Sequence, residues 1–278
     1  MDAIDERARL IAENRTHGAG WLARQAVEAL AEAAEAGHDP VDAARRLAAA
    51  RPAIGAIAAA LGRLLAPGME PEQLVEEARA LIDRRDRAAT SIAVLAKPAL
   101  AGRVMTHSAS ATVREALVHA TPDRVVCTVS APQEEGRDFA ADLAGTGLAV
   151  DLVADEDAKH ALGTVDVLLV GADCVFRDGA LVNKVGTAKL ARDARDAGVP
   201  VLVACETLKI VPVDAGDGTE GPWRQLKSDD EPFDLTPPEL VTSYVTDEGI
   251  LEPDEIASLA DRTPFLRAGW DLLRTPAA

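Results

Sequence analysis

The sequence predicts an α/β protein in two parts: a helical N-terminal domain over 1–95, and a Rossmann-like, doubly wound parallel-sheet domain over 96–278. Three observations carry this reading. Residues 1 to about 92 keep apolar positions at three- and four-residue steps, the signature of helices with one buried face. From about 102, short Val- and Leu-rich runs alternate with helical stretches. Those runs are continuously apolar, as in a parallel sheet covered on both faces.

Taken in order, Ile4, Ala8 and Ile11, then Leu22, Ala26 and Leu30, and later Leu61, Leu64 and Leu65 mark the N-terminal helices. Breaks fall at GHDP (37–40), RP (51–52) and APGMEP (66–71), with Asp39 placed to cap the next helix, so four or five helices are expected. Strands are expected at RVMTH (103–107), DRVVCTVS (123–130), AVDLVAD (149–155), DVLLVGAD (166–173) and PVLVACE (200–206). The helices ATVREALVHA, GRDFAADLAGTG, EDAKHALG and GTAKLARDARDAG lie between them. Right-handed crossovers then build a doubly wound sheet, whose ligands bind beyond the carboxyl ends of the strands. THSAS, SAP, GAD and CET all fall there. The Gly-, Pro- and Asp-rich stretch 211–238 reads as a long functional or interface loop, and ELVTSYVTDEGI as one more strand followed by a turn.

Composition narrows the function classes. A net charge of −17 argues against a nucleic-acid-binding surface, which needs clustered Lys and Arg. Only six of the 29 basic residues are Lys, and an Asp-rich, Lys-poor surface suits high salt; a GC-rich genome would also favour such codons. The acidic start MDAIDERARLIAENR has no secretory h-region and no stretch approaches a membrane span, so a cytoplasmic location is expected. Cys127, Cys174 and Cys205 are odd in number and form no CxxC pair, which speaks for packing in a reduced interior and against disulfides or a zinc site. GxGxxG and GxSxG are absent, leaving no support for a dinucleotide cofactor or a serine hydrolase.

GADCVFRDGALVNKVGT is the most informative stretch. Asp173 should emerge at a strand end, where a half-buried carboxylate can serve as general acid or base. Asn183 and Lys184 precede Gly186 and Thr187 at a helix start, where free N–H groups and the helix dipole favour an anion. The bland alternative is that Asp173 and Asn183 cap loops and that Lys184 pairs with an acid. In THSASATVREAL (106–117), Ser108, Ser110 and Thr112 are hydroxyl donors at a second helix start, or ordinary caps. In SAPQEEGRDFA, Arg137 is a forked donor for phosphate or a solvated salt-bridge partner. NRTHGAGW holds Arg15, His17 and Gly18 ahead of a helix, leaning over the ligand or simply structural.

Together RTHGAGWLARQAVEAL, RPAIGAIAAAL, VMTHSASATVREAL, SAPQEEGRDFAADL, GADCVFRDGALVNKVGTAKLA, CETLKI and FDLTPPELVTSYVTDEGIL resemble the initiation factor 2B alpha/beta/delta family. That superfamily includes ribose-1,5-bisphosphate isomerase and methylthioribose-1-phosphate isomerase. The resemblance runs over roughly 15–257, and GAD…NKVGT with TPPELVT…T-x-x-G is its specific part. It implies a helical domain followed by a Rossmann-like one, with homodimers or higher homo-oligomers formed through the latter, and an archaeal kind of protein. In the isomerase branches a Cys after TH works with the Asp of GAD to convert an aldose 1-phosphate to a ketose 1-phosphate. Asp173 matches that Asp, His107 matches the TH, and Ser108 stands where the Cys would be. An unactivated hydroxyl lacks the tunable pKa of a thiol. The isomerases' Arg-Gly pair is His17–Gly18 here, whereas Arg137, Asn183, Lys184, Gly186, Thr187 and Lys209 match. The resemblance therefore implies first a regulatory protein, related to translation initiation, that binds a phosphorylated sugar or nucleotide. An active ribose-1,5-bisphosphate-type isomerase is the alternative and a non-catalytic scaffold the third reading. The expected partners are that ligand, further copies of the chain and a translation initiation factor, with no direct nucleic acid, membrane, metal or cofactor.

Overall fold

The computed structural model of the chain describes residues 2–14, 16–216 and 232–274; Arg15 and most of the long 211–238 loop fall outside them. Five helices open the chain: α1 (Ala3–Glu13), α2 (Ala19–Glu35), α3 (Pro40–Ala49), α4 (Gly55–Gly62) and α5 (Pro71–Ala96). Asp39 caps α3 as the GHDP break predicts, accepting from Val41 N, and Pro40 occupies the first turn, where no N–H is needed. Glu70 and Gln73 form a reciprocal capping box on α5. Seven of the eight residues of α4 are buried, so this Ala- and Gly-rich helix is the centre of the helical layer. Small residues allow the close approach. A Cβ on Gly269 would stand 1.9 Å from the Gly62 carbonyl oxygen, so two glycines set the crossing of α4 with a C-terminal helix.

The main sheet has the order β10-β9-β7-β4-β1-β2-β3. Its strands are β1 (Arg103–Thr106), β2 (Arg124–Thr128), β3 (Val150–Val153), β4 (Val167–Val170), β7 (Val201–Ala204), β9 (Ser243–Thr246) and β10 (Gly249–Leu251). All neighbours run parallel except the terminal β9–β10 hairpin. Four helices connect or flank the strands: α6 (Ala111–Ala120), α7 (Glu135–Gly145), α8 (Ala158–Leu162) and α9 (Thr187–Asp196). The chain leaves β1 towards β2 and β3, then crosses to β4, β7 and β9 on the other side, so the topological switch lies between β1 and β4.

Three features differ from expectation. The stretch DCVFRDGALVNK is a small antiparallel sheet, with β5 (Cys174–Val175) and β8 (Phe233–Thr236) flanking β6 (Leu181–Lys184). Asn183 and Lys184 therefore sit on a buried strand, and the far end of the 211–238 loop supplies that strand's partner. The turn after β9 returns as β10 in place of ending the sheet. Finally, α10 (Glu255–Arg262) and α11 (Leu266–Arg274) follow the sheet, and α11 packs back on α3 and α4. No described helix is long and apolar enough to cross a membrane.

Candidate functional site

The loops after β1 and β2 meet beside the switch point. Ser108, Ser130 and Glu134, none of them glycine, have φ values of 67°, 65° and 57°. Left-handed backbone costs such residues ~1–2 kcal/mol each and persists only where the surroundings impose it. Here they do. Ser108 N donates to Ser130 Oγ at 2.8 Å, and the N–H groups of Ser130 and Ala131 donate to the Asp155 carboxylate at 2.8 and 2.7 Å. His107 is buried beneath them. Its Nε2 lies 2.9 Å from the Val185 carbonyl, which can only accept, so that nitrogen carries the proton and Nδ1 accepts from Thr128 Oγ1 at 2.7 Å. Burial lowers the His107 pKa, which suits a neutral ring. The ring also lies against Gly186, where φ is 104° and a Cβ would stand 3.1 Å from Nε2.

This frame brings four polar side chains together: Ser108, Glu135, Lys184 and Gln133. Ser108 Oγ donates to Glu135 Oε1 at 2.5 Å. The other oxygen of Glu135 accepts from Lys184 Nζ at 2.8 Å, and Lys184 also donates to Gln133 Oε1 at 2.6 Å. Gly136 has no room for a side chain, since a Cβ would meet the Thr128 carbonyl oxygen at 1.9 Å. The close approach of this loop to β2 is what carries Glu135 to Ser108. Asp173 follows β4, the neighbour of β1 in the sheet. Its N–H donates to the Val182 carbonyl at 2.9 Å, tying the end of β4 to β6.

Other residues singled out by sequence have different employment. Asn183 Nδ2 donates to Thr187 Oγ1 at 3.1 Å, and Thr187 Oγ1 donates to the Lys184 carbonyl at 2.6 Å, so both brace the β6–α9 turn. The expected anion cradle at the start of α9 is filled by the chain's own carboxylate. Asp234, on β8, accepts from Gly186 N at 2.8 Å and from Ala188 N at 3.3 Å. Burial raises the Asp234 pKa to about 6 despite those hydrogen bonds. Lys209 is sealed in an ion pair with Glu206 at 2.7 Å, and Glu206 also accepts from Thr112 Oγ1 at 2.8 Å. Ser110 caps α6 and packs against Gly171, whose Cβ would stand 2.6 Å from Ser110 Oγ. Arg137 is exposed and paired with Glu134 at 2.6 Å, the solvated salt bridge rather than the phosphate fork. His17 is also exposed, stacked on Trp21 at 4.0 Å between ring centroids, and Gly18 is the N-cap position of α2. Neither is bonded to the Ser108 cluster among the described residues.

Glu135, Gln133, Asp155, Asp234 and Glu206 were not singled out from sequence. Glu135 had a readable signal, an acid two residues before Arg137 in a strand-end loop. Asp234 had none, because its partners Gly186 and Ala188 lie 48 and 46 residues earlier. The three cysteines are buried, and burial raises each thiol pKa, Cys127 to about 12, as expected for inert packing. No three His, Cys, Asp or Glu side chains among the described residues are grouped to hold a metal ion.

Fold and site together define a doubly wound α/β protein with a cluster of polar side chains beyond the carboxyl ends of β1 and β2. The chain belongs to the Initiation factor 2 subunit family, whose model matches residues 15–253. It is 34% identical to the ribose 1,5-bisphosphate isomerase of Haloferax volcanii over 56% of this chain, a match that spans about half (54%) of that relative. It is 27% identical to the protein of the same name from Archaeoglobus fulgidus over 91% of both chains. The crystal structure of the Pyrococcus horikoshii OT3 translation initiation factor eIF-2B superposes with a TM-score of 0.77 at 25% identity, over 91% of this chain and 98% of that one.

Proposed function

We propose that the chain is an aldose–ketose isomerase acting on a ribose 1,5-bisphosphate-type sugar, in which Ser108 and Glu135 together replace the thiol that the family resemblance implies. The carrying observation is the 2.5 Å hydrogen bond from Ser108 Oγ to Glu135 Oε1. Aldose–ketose conversion moves hydrogen between neighbouring carbons with no net redox change, so it needs groups that take and return a proton. A lone serine hydroxyl cannot do so near neutral pH, but one hydrogen-bonded to a carboxylate can pass its proton to that base. Asp173, just beyond the carboxyl end of the neighbouring β4, is the second acid/base group. Lys184 is the phosphate ligand. An entering phosphate competes with Glu135 for the ammonium, and so releases Glu135 to work with Ser108.

The isomerase name carried by the relatives weighs in favour of turnover over the regulatory reading. The missing thiol is the observation that favours the second reading, a member that binds sugar phosphate without converting it. The two part in one assay: purified protein is given α-ribose 1,5-bisphosphate and ribulose 1,5-bisphosphate is followed by NMR. Turnover that falls ~10²–10⁴-fold in both Asp173→Asn and Glu135→Gln supports the isomerase. Ligand-induced thermal stabilisation without product, lost in Lys184→Ala, establishes the binding protein instead.

A further inference from the structure

A second cleft opens beside the Glu206–Lys209 pair, between α4, α5, the 207–209 turn and the β9–β10 turn. It encloses about 300 Å3, at the lower end of small-ligand pockets, and four arginines line it: Arg63, Arg84, Arg85 and Arg87. On a chain of net charge −17, such a cluster of guanidinium groups is out of character.

Three acids share the cleft, and Arg63 feels two of them, Asp247 and Glu248, but each acid also has another partner. Asp247 accepts from Thr207 N at 2.7 Å and from Thr207 Oγ1 at 3.0 Å. Glu206 holds Lys209 and Thr112, and Glu248 pairs with Arg262 at 3.0 Å. The arginines, by contrast, keep donors in reserve. Arg63 donates from Nη2 to the Thr207 carbonyl at 2.6 Å and Arg85 from Nη1 to Asp86 at 3.0 Å, yet the Nε of each is buried without an acceptor. A buried donor left unsatisfied costs ~1–3 kcal/mol, so two in one cleft mark an absent acceptor. Arg84 and Arg87 make no ion pair among the described residues and stand on the same turn of α5. Burial lowers the Arg63 pKa to about 10, which leaves it cationic at neutral pH.

We infer that this cleft is a second ligand site, separate from the Ser108 crevice, that takes a small phosphate-bearing anion. Forked guanidinium donors match phosphate oxygens two at a time, and several aimed into one cavity make the arrangement selective for phosphate over a single carboxylate. Glu206 joins the two sites: it lines the cleft and holds Lys209, whose charge is also felt by Asp173. An anion bound among the arginines therefore acts on the field around Asp173 through this pair. The inference stands whether or not the chain converts a sugar, because its test reads binding alone.

Inorganic pyrophosphate is titrated calorimetrically at low ionic strength into the full chain and into two variants. One is Lys184→Ala, which removes the cation of the Ser108 crevice. The other is the double variant Arg84→Ala/Arg87→Ala, whose exposed side chains can be removed without unfolding, as far-UV circular dichroism would verify. Binding that persists in Lys184→Ala and weakens at least tenfold in the double variant is the expected result. Binding abolished by Lys184→Ala, unchanged in the double variant, or absent from all three proteins overturns the inference.

Discussion

Lys184 and Lys209 begin alike and end differently. Each ammonium is buried, with 5% and 7% of the side chain exposed, and each meets a glutamate that also accepts from a hydroxyl. The glutamates differ: Glu206 is 8% exposed and Glu135 is 28% exposed. Glu206 and Lys209 are three residues apart on one turn, so local backbone geometry clamps them together. Glu135 opens α7 and Lys184 ends β6, 49 residues apart in sequence, and the glutamate side of their pair stays partly exposed. Burial opposes the charges of Glu206 and Lys209, yet each partner outweighs it. The acid's pKa stays below the usual range and the lysine's above it. A sealed pair holds the fold and orients charge near Asp173. An open pair can exchange one partner for a ligand.

The comparison breaks most visibly if the sealed pair proves dispensable. Glu206→Ala leaves the Lys209 ammonium buried without its counter-charge, and should lower unfolding stability by ~3–5 kcal/mol in urea titrations. A loss no larger than that of an ordinary surface change would mean that water reaches Lys209 and that the two pairs are equivalent. Next comes the α9 cradle beside the open pair. Because the Asp234 pKa is raised to about 6 in the folded chain, its favourable contribution is complete below the unfolded value of ~3.9 and is lost as pH rises through 6. Relative to Asp234→Asn, the native chain should therefore lose about 1–2 kcal/mol between pH 4 and pH 7, with the discount that partial exposure demands. An equal pH profile for the two proteins would remove Asp234 from the account.

Smaller effects sharpen the contrast. Glu135→Gln keeps hydrogen-bonding capacity beside a half-open lysine, so it should cost about 1 kcal/mol or less in stability. The same change should tighten the binding of sugar phosphate to Lys184 while stopping turnover, a split readable by calorimetry and NMR on one preparation. Arg137→Ala should shift stability by less than ~0.5 kcal/mol and leave sugar-phosphate affinity unchanged, since its partner is the exposed Glu134. A large loss of affinity there would return Arg137 to the site.

How far the site could be read in advance depended on how local each cause is. ATVREALVHA is the helix α6 to the residue, with Ser110 as its cap, because period and capping act within a few residues. The Asp39 cap and the strands β1, β2, β3, β4 and β7 were legible for the same reason. Asn183 and Lys184 read as residues leading into a helix start and not as a strand, since LVNK becomes a strand only when Phe233–Thr236 pairs with it. Glu135 was passed over in favour of Arg137, its neighbour two residues on, because no sequence pattern says which of the two side chains turns towards Ser108.

Hydrophobic period, turn chemistry and strand-end placement thus settled the layers, the order of most elements and the edge of the sheet where chemistry would gather. They did so from the chain's near neighbours alone, as burial pattern and capping require nothing more distant. Long-range packing chose which charge meets which: Glu135 for Lys184, Asp234 for the start of α9, and four arginines for one cleft. Such choices compare the desolvation of each buried charge with the partners that folding delivers, and that balance exists only once the loops have met.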